Sequence, residues 1–160
     1  MKRLSFLALG VLVVAACSDD PVDVEGTYAV GLTNRDNGCN FQNWTVGAQT
    51  TGVEVVITQN GANAIAEVKG LAGGYLSFAF GSSTFSGSVD GDALDLSLSG
   101  TRPQTSGNCT YTYDGRIQAT LSGNALNGSL TYASNGNDNT DCAAIVCTSV
   151  QDFAGSRPPK

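Results

Sequence analysis

Beyond residue 25 the apolar residues fall at every second position. Leu94, Leu96 and Leu98 alternate with Asp95, Ser97 and Ser99, and Ile117, Ala119 and Leu121 alternate with Arg116, Gln118, Thr120 and Ser122. Side chains two apart share one face of an extended chain, so each run predicts a strand with one dry and one wet face. Tyr111 and Tyr113 carry the dry face of the second run upstream past Gly115. Phe85-Gly87-Val89 and Leu126-Gly128-Leu130-Tyr132 repeat the pattern, Tyr28, Val30 and Leu32 form a first strand, and Leu76, Phe78 and Phe80 form another. No helical periodicity is sustained over a comparable length.

The punctuation between runs predicts hairpins. The stretch from Phe85 to Leu98 aligns with that from Ile117 to Leu130 at a constant offset of 32 residues, an internal hairpin repeat. Two-residue turns at Gly91-Asp92 and Gly123-Asn124 pair Val89 with Leu94 and Leu121 with Leu126, and a leading glycine suits a type II′ turn. Asn60-Gly61 carries a type I′ signal, which pairs Ile57 with Ala64, Val55 with Ala66 and Val53 with Val68. Sequential hairpins with one apolar face predict an all-β fold: an antiparallel up-and-down meander closed into a barrel of about eight strands, with a β-sandwich as the alternative. Closure also removes exposed strand edges. Gly87, Ala119 and Gly128 leave room for either a packed taper or a small cavity.

Gly26-Thr27-Tyr28, at the start of the first strand, resembles the Gly-x-Trp opening of lipocalins and other calycin barrels, with tyrosine in place of tryptophan. In lipocalins an arginine near the end of the barrel stacks on that aromatic ring, and Arg157 stands in the corresponding place. The resemblance implies barrel topology and permits a ligand, making Tyr28, Tyr111, Tyr113 and Arg157 candidates for ligand contact or core.

The N-terminus has a different character. Met1-Lys2-Arg3 is a positive start, Leu4 to Val14 is apolar apart from Ser5 and Gly10, and Ala15-Ala16 precede Cys17, the layout of a secretory signal. The apolar stretch falls short of the roughly 20 residues that span a bilayer. Val14-Ala15-Ala16-Cys17 resembles the lipobox of bacterial lipoproteins, which implies cleavage before Cys17 and acylation of that residue. The expected organisation is a signal peptide over 1–16, a lipidated N-terminus and polar tether over 17–25, and a single β-barrel domain over 26–160. Ser18 after the cysteine favours the outer over the inner membrane by the sorting rule of Gram-negative lipoproteins.

With Cys17 assigned to lipid, Cys39, Cys109, Cys142 and Cys147 make an even number in an exported chain and read as two disulfides. The residues between Cys142 and Cys147 lack turn formers, which favours two long-range bridges to the C-terminal segment over a local one.

Composition narrows the chemistry. There is no histidine, so the Ser-His-Asp, Cys-His and two-His zinc arrangements are excluded. The formal charge of −6, falling to −8 once Lys2 and Arg3 are removed, argues against a nucleic-acid partner. The Asn60-Gly61 register sets Glu54 opposite Glu67 on an outer face without a cleft. Asn135, Asn137, Asn139 and Asp141 resemble the opening of a calcium loop, but position six is Thr140 and position twelve is Val146, so a solvated turn is expected. Trp44 and Phe41, beside Cys39 in a Gly- and Asn-rich loop, are read as core or as a lid on one barrel mouth. No catalytic residue, metal or cofactor is expected. The expected role is that of a membrane-anchored envelope lipoprotein whose small barrel binds a small apolar ligand or an envelope protein. The alternative is a structural or inhibitory protein with a packed barrel.

Overall fold

The computed structural model describes residues 20–160. The expected signal peptide and lipobox, with Cys17, lie outside the described residues. Nine strands follow in order: β1 (Gly26–Asn37), β2 (Gln49–Asn60), β3 (Asn63–Val68), β4 (Thr84–Asp90), β5 (Ala93–Leu98), β6 (Gln104–Ser106), β7 (Cys109–Ser122), β8 (Ala125–Gly136) and β9 (Thr148–Ser156), with one α-helix, α1 (Gly70–Phe80), between β3 and β4. Neighbouring strands pair antiparallel in the sequence β5-β4-β3-β2-β1-β9-β8-β7, and β5 returns to pair with β7. Eight strands therefore close into a lipocalin-like barrel, and β6 pairs with the start of β7 outside the ring. A single closed sheet, rather than two facing ones, buries the alternating apolar set.

Three of the four two-residue hairpins lie at one end, the floor; the fourth, Gly107-Asn108 between β6 and β7, lies at the other. Gly61, Gly91 and Gly123 each open a two-residue turn with positive φ (60°, 55° and 61°), a region in which a Cβ is disfavoured. Val89 pairs with Leu94 and Leu121 with Leu126, as the repeat predicts. The first hairpin differs from its sequence reading. Asn60 pairs with Asn63, Ile57 with Ala66 and Val55 with Val68, so the turn is Gly61-Ala62 rather than Asn60-Gly61. A type I′ turn would need positive φ at Asn60; starting at Gly61 lets one glycine supply the only positive φ, as in the other two hairpins. The two-residue shift keeps the apolar set on the inner face but separates the two carboxylates. Val56 faces Glu67, while Lys69 donates its backbone N–H to the Glu54 carbonyl and holds Glu67 in an exposed ion pair at 2.6 Å.

The segment ahead of β1, read from the sequence as the end of a tether, is part of the floor. Val24 is fully buried, its N–H donates to Gln59 Oε1 (2.7 Å), and the Val22 N–H donates to the Gly91 carbonyl (2.9 Å). Tyr28 is also fully buried and donates its hydroxyl to the Val24 carbonyl at 2.8 Å. Arg157 lies over the Tyr28 ring, Cζ to centroid 5.7 Å, and its guanidinium donates to the Asp23 and Glu25 carbonyls. One arginine thus clamps the entering strand against the last strand, and the cation over the aromatic face adds electrostatic attraction.

The second correction is α1. Alternation at Leu76, Phe78 and Phe80 reads as a strand, but the segment is helical and buries Gly73, Leu76 and Phe80, the three-to-four spacing of a helix face. No β-branched residue opposes the helix. Gly81, at φ 90°, caps its C-terminus by donating its N–H to the Ser77 carbonyl.

Glycine also sets how closely strands approach. A Cβ at Gly128 would meet the Gln118 carbonyl oxygen at 2.1 Å and Ala119 Cα at 2.7 Å. Gly128→Ala is therefore expected to lower the unfolding free energy by about 1–3 kcal/mol. Gly74→Ala, on the helix with no atom within 4 Å of its Cβ, should raise it by about 0.5–1 kcal/mol. Urea unfolding of the two variants checks the opposite signs.

Candidate functional site

The end opposite the floor carries the long connections: the loop 38–48, α1, the loop around β6, and the segment 137–147. Two disulfides tie these down. Cys39 joins Cys147 and Cys109 joins Cys142, with Cα–Cα distances of 4.8 and 4.9 Å. Both bridges are long-range in sequence, as the spacing predicts. Beside the first, buried Ser149 accepts from the Cys39 N–H (3.0 Å) and donates to Asn37 Oδ1 (3.2 Å). Asn37 in turn brackets Phe41 through both its N–H and its carbonyl. The chain is thereby turned so that Phe41 and Trp44 point over the barrel mouth.

Beneath them lies a cavity of about 600 Å³. Its walls are Val30 of β1, Val53 and Ile57 of β2, Ala66 and Val68 of β3, Ile117 of β7, Leu130 and Tyr132 of β8, and Phe153 of β9. The void follows from side-chain size. Strands β2 and β3 contribute only Val, Ile and Ala to the buried inner face, whereas Phe85, Leu96 and Leu98 fill the β4–β5 sector and Tyr28 fills the floor. An unfilled apolar volume of this size lacks the dispersion contacts of a packed core and is the usual form of a small-molecule site.

An aromatic cluster roofs the cavity. Tyr132 meets Phe80 of α1 at 5.3 Å between ring centroids, Phe41 at 5.8 Å and Trp44 at 6.2 Å, and Phe41 meets Tyr113 edge-on at 5.0 Å. Trp44 donates Nε1–H to the Arg35 carbonyl at 2.9 Å, which fixes its ring plane. Around the opening, α1 presents Leu71, Tyr75 and Phe78 to solvent at 87, 76 and 81% exposure. These three also line the cavity, so its entrance has an apolar lip one helix face wide.

Polar groups are few and lie on one side. Tyr132 donates its hydroxyl to Gln151 Oε1 (3.0 Å), and Gln151 donates Nε2–H to Asn34 Oδ1 (2.7 Å). Gln42 and Thr50 complete the polar side chains of the lining, apart from the Trp44 indole N–H and the Tyr75 hydroxyl on the lip. Among the described residues no Asp, Glu, Lys or Arg lines the cavity. Burial holds the Tyr132 hydroxyl well above its ordinary range, and desolvation raises Tyr28 and Tyr113 as well. These folded-state values exceed the unfolded value of about 10, so their contribution to stability is complete below pH 10 and is lost as pH rises through the raised values. Chemical denaturation at pH 8, 9 and 11 should show the midpoint nearly unchanged over the first step and falling over the second.

No family model, curated protein sequence or solved structure matches this chain. The site is therefore read from its own residues. Of the candidates taken from the sequence, Tyr28 and Arg157 form the floor clamp, Tyr113 backs the roof through Phe41 and Phe80, and Tyr111 sits on the rim against Gln104 of β6. None of the four lines the cavity. The lining instead uses Tyr132, Gln151 and Phe153, together with the lip of α1. Tyr132 shows in the sequence only as one more position of an alternating run, Gln151 and Phe153 fall in no run that reads as a strand, and the lip is hidden by the strand-like spacing of its helix. The Asn-rich run ties loops together: Asn139 accepts from the Asp141 N–H, Asp141 accepts twice from Asn108, and Asn137 accepts from the Thr110 N–H.

Proposed function

We propose that this protein is a non-enzymatic, lipid-anchored lipoprotein of the bacterial cell envelope whose barrel binds one small apolar molecule. The apolar cavity, open at the barrel mouth, carries the reading. Burying an apolar molecule there gains about 25 cal/mol for each Å² removed from water, and the preformed walls lower the ordering cost. A lining of aliphatic and aromatic side chains suits retention rather than bond-making. Anchoring rests on the resemblance of Val14-Ala15-Ala16-Cys17 to a lipobox and on the acidic net charge, which leaves attachment to the lipid. Since the described chain begins at the floor, an anchor at Cys17 would turn the mouth away from the bilayer, with Ser18 favouring the outer membrane.

The exposed Leu71, Tyr75 and Phe78 support a second reading, in which the lip docks an envelope protein. The two are separated by titrating the purified protein with an uncharged, environment-sensitive naphthylamine dye. Saturable binding of one dye per chain at about micromolar affinity is expected. Unsaturable, weak fluorescence shared with the unfolded chain would overturn the ligand reading and leave the lip as a docking surface.

A further inference from the structure

We infer that the cavity selects an uncharged amphiphile, held with its polar end at Tyr132 and Gln151 and its apolar chain directed toward Ile57 and Leu126 near the floor. The inference rests on the cavity being a ligand site and adds the chemical class of the ligand and its orientation. The lining is polarised along its length. Tyr132 pairs across to Ser149 and Gln151 to Leu130, in the mouth half of the barrel, whereas Leu94 and Leu126 flank the floor turns and carry no polar atom beyond their backbone.

The hydrogen bonds already made define what remains on offer. Tyr132 donates to Gln151 Oε1, so its oxygen is left as an acceptor. Gln151 uses one Nε2–H on Asn34, so its second is left as a donor. One acceptor and one donor on adjacent groups match a hydroxyl or a primary amide, which can give and receive at one end. A carboxylate finds one donor and no cation, because the charged side chains of the surrounding strands, such as Arg35 and Asp152, pair with one another outside. Enclosing that anion would cost desolvation without compensation. A longer chain would let its head reach bulk water, so discrimination is sharpest for a chain of about ten carbons, short enough to be enclosed.

The test compares decanol, its methyl ether and decanoate at pH 8 by displacement of the naphthylamine dye. Decanol should bind about tenfold tighter than the ether, which lacks the donor, and on the order of 30-fold or more tighter than decanoate. In Tyr132→Phe with Gln151→Leu, which removes both groups, the advantage of decanol over the ether should shrink several-fold; in Gln151→Leu alone, which removes the N–H that both compounds accept from, the two should weaken by a similar factor. Dye affinity reports whether each variant keeps its cavity, and two variants guard against one failing to fold. Equal binding of all three compounds, or tighter binding of decanoate, overturns the inference but leaves the cavity a ligand site. Displacement by none of them, from a protein that binds the dye, also overturns it; failure to bind the dye overturns the ligand reading itself.

Discussion

Replacing Cys39 and Cys147 together by alanine should lower the unfolding free energy by about 4–5 kcal/mol, and replacing Cys109 and Cys142 by about 3–4 kcal/mol. The order follows from chain closure: the first bridge spans 108 residues and the second 33, and the longer closed loop removes more entropy from the unfolded chain. The first bridge also fixes the loop that carries Phe41 and Trp44, so its removal should weaken dye binding beyond the loss of stability. Urea titration of the oxidised protein and both paired variants checks the order. A cost under about 1 kcal/mol for the Cys39 pair would show that the hydrogen bonds of Ser149 and Asn37 hold the mouth without the covalent link.

The second large effect is on binding. Val53→Trp with Leu130→Phe places two larger rings in the cavity from β2 and β8, strands separated around the ring. Dye affinity should fall by tenfold or more. Stability should change by no more than about 1–2 kcal/mol, because the rings enter space that is already empty and overpacking strain is small there. Isothermal titration beside thermal unfolding separates the two outcomes. A variant that binds as tightly as the parent would place the dye elsewhere, with the apolar lip of α1 the first surface to examine.

Much of the barrel was legible because its forces are local and periodic. The period-two patterns of β5, β7 and β8 place Leu96, Ile117 and Leu130 inside, and Gly91 and Gly123 mark their turns without reference to the rest of the chain. The Tyr28–Arg157 clamp was legible through its resemblance to lipocalins and takes the expected geometry. The first hairpin shows where local reading falters. Asn60-Gly61 and Gly61-Ala62 are both good turns, and a slip of two residues preserves the inner face, so the alternating pattern does not choose between them. Helix α1 was misread because its apolar residues lie all round it; Phe78 points to solvent and Phe80 to the core, a distinction that depends on the barrel mouth it covers. The cavity itself is a property of the ring. Ala66 is a small residue on a strand until the opposite wall is known, and only closure shows that nothing larger fills the space before it.

The most direct test of a ligand-binding barrel is a crystal structure of the protein equilibrated with a brominated ten-carbon alcohol, with bromine located by its anomalous scattering. The account predicts one bromine site inside the barrel, with the alkyl chain between Val53 and Leu130 and the hydroxyl beside Tyr132 and Gln151. A barrel whose side chains close over the same space, or bromine found only on the outer surface of α1, would contradict it.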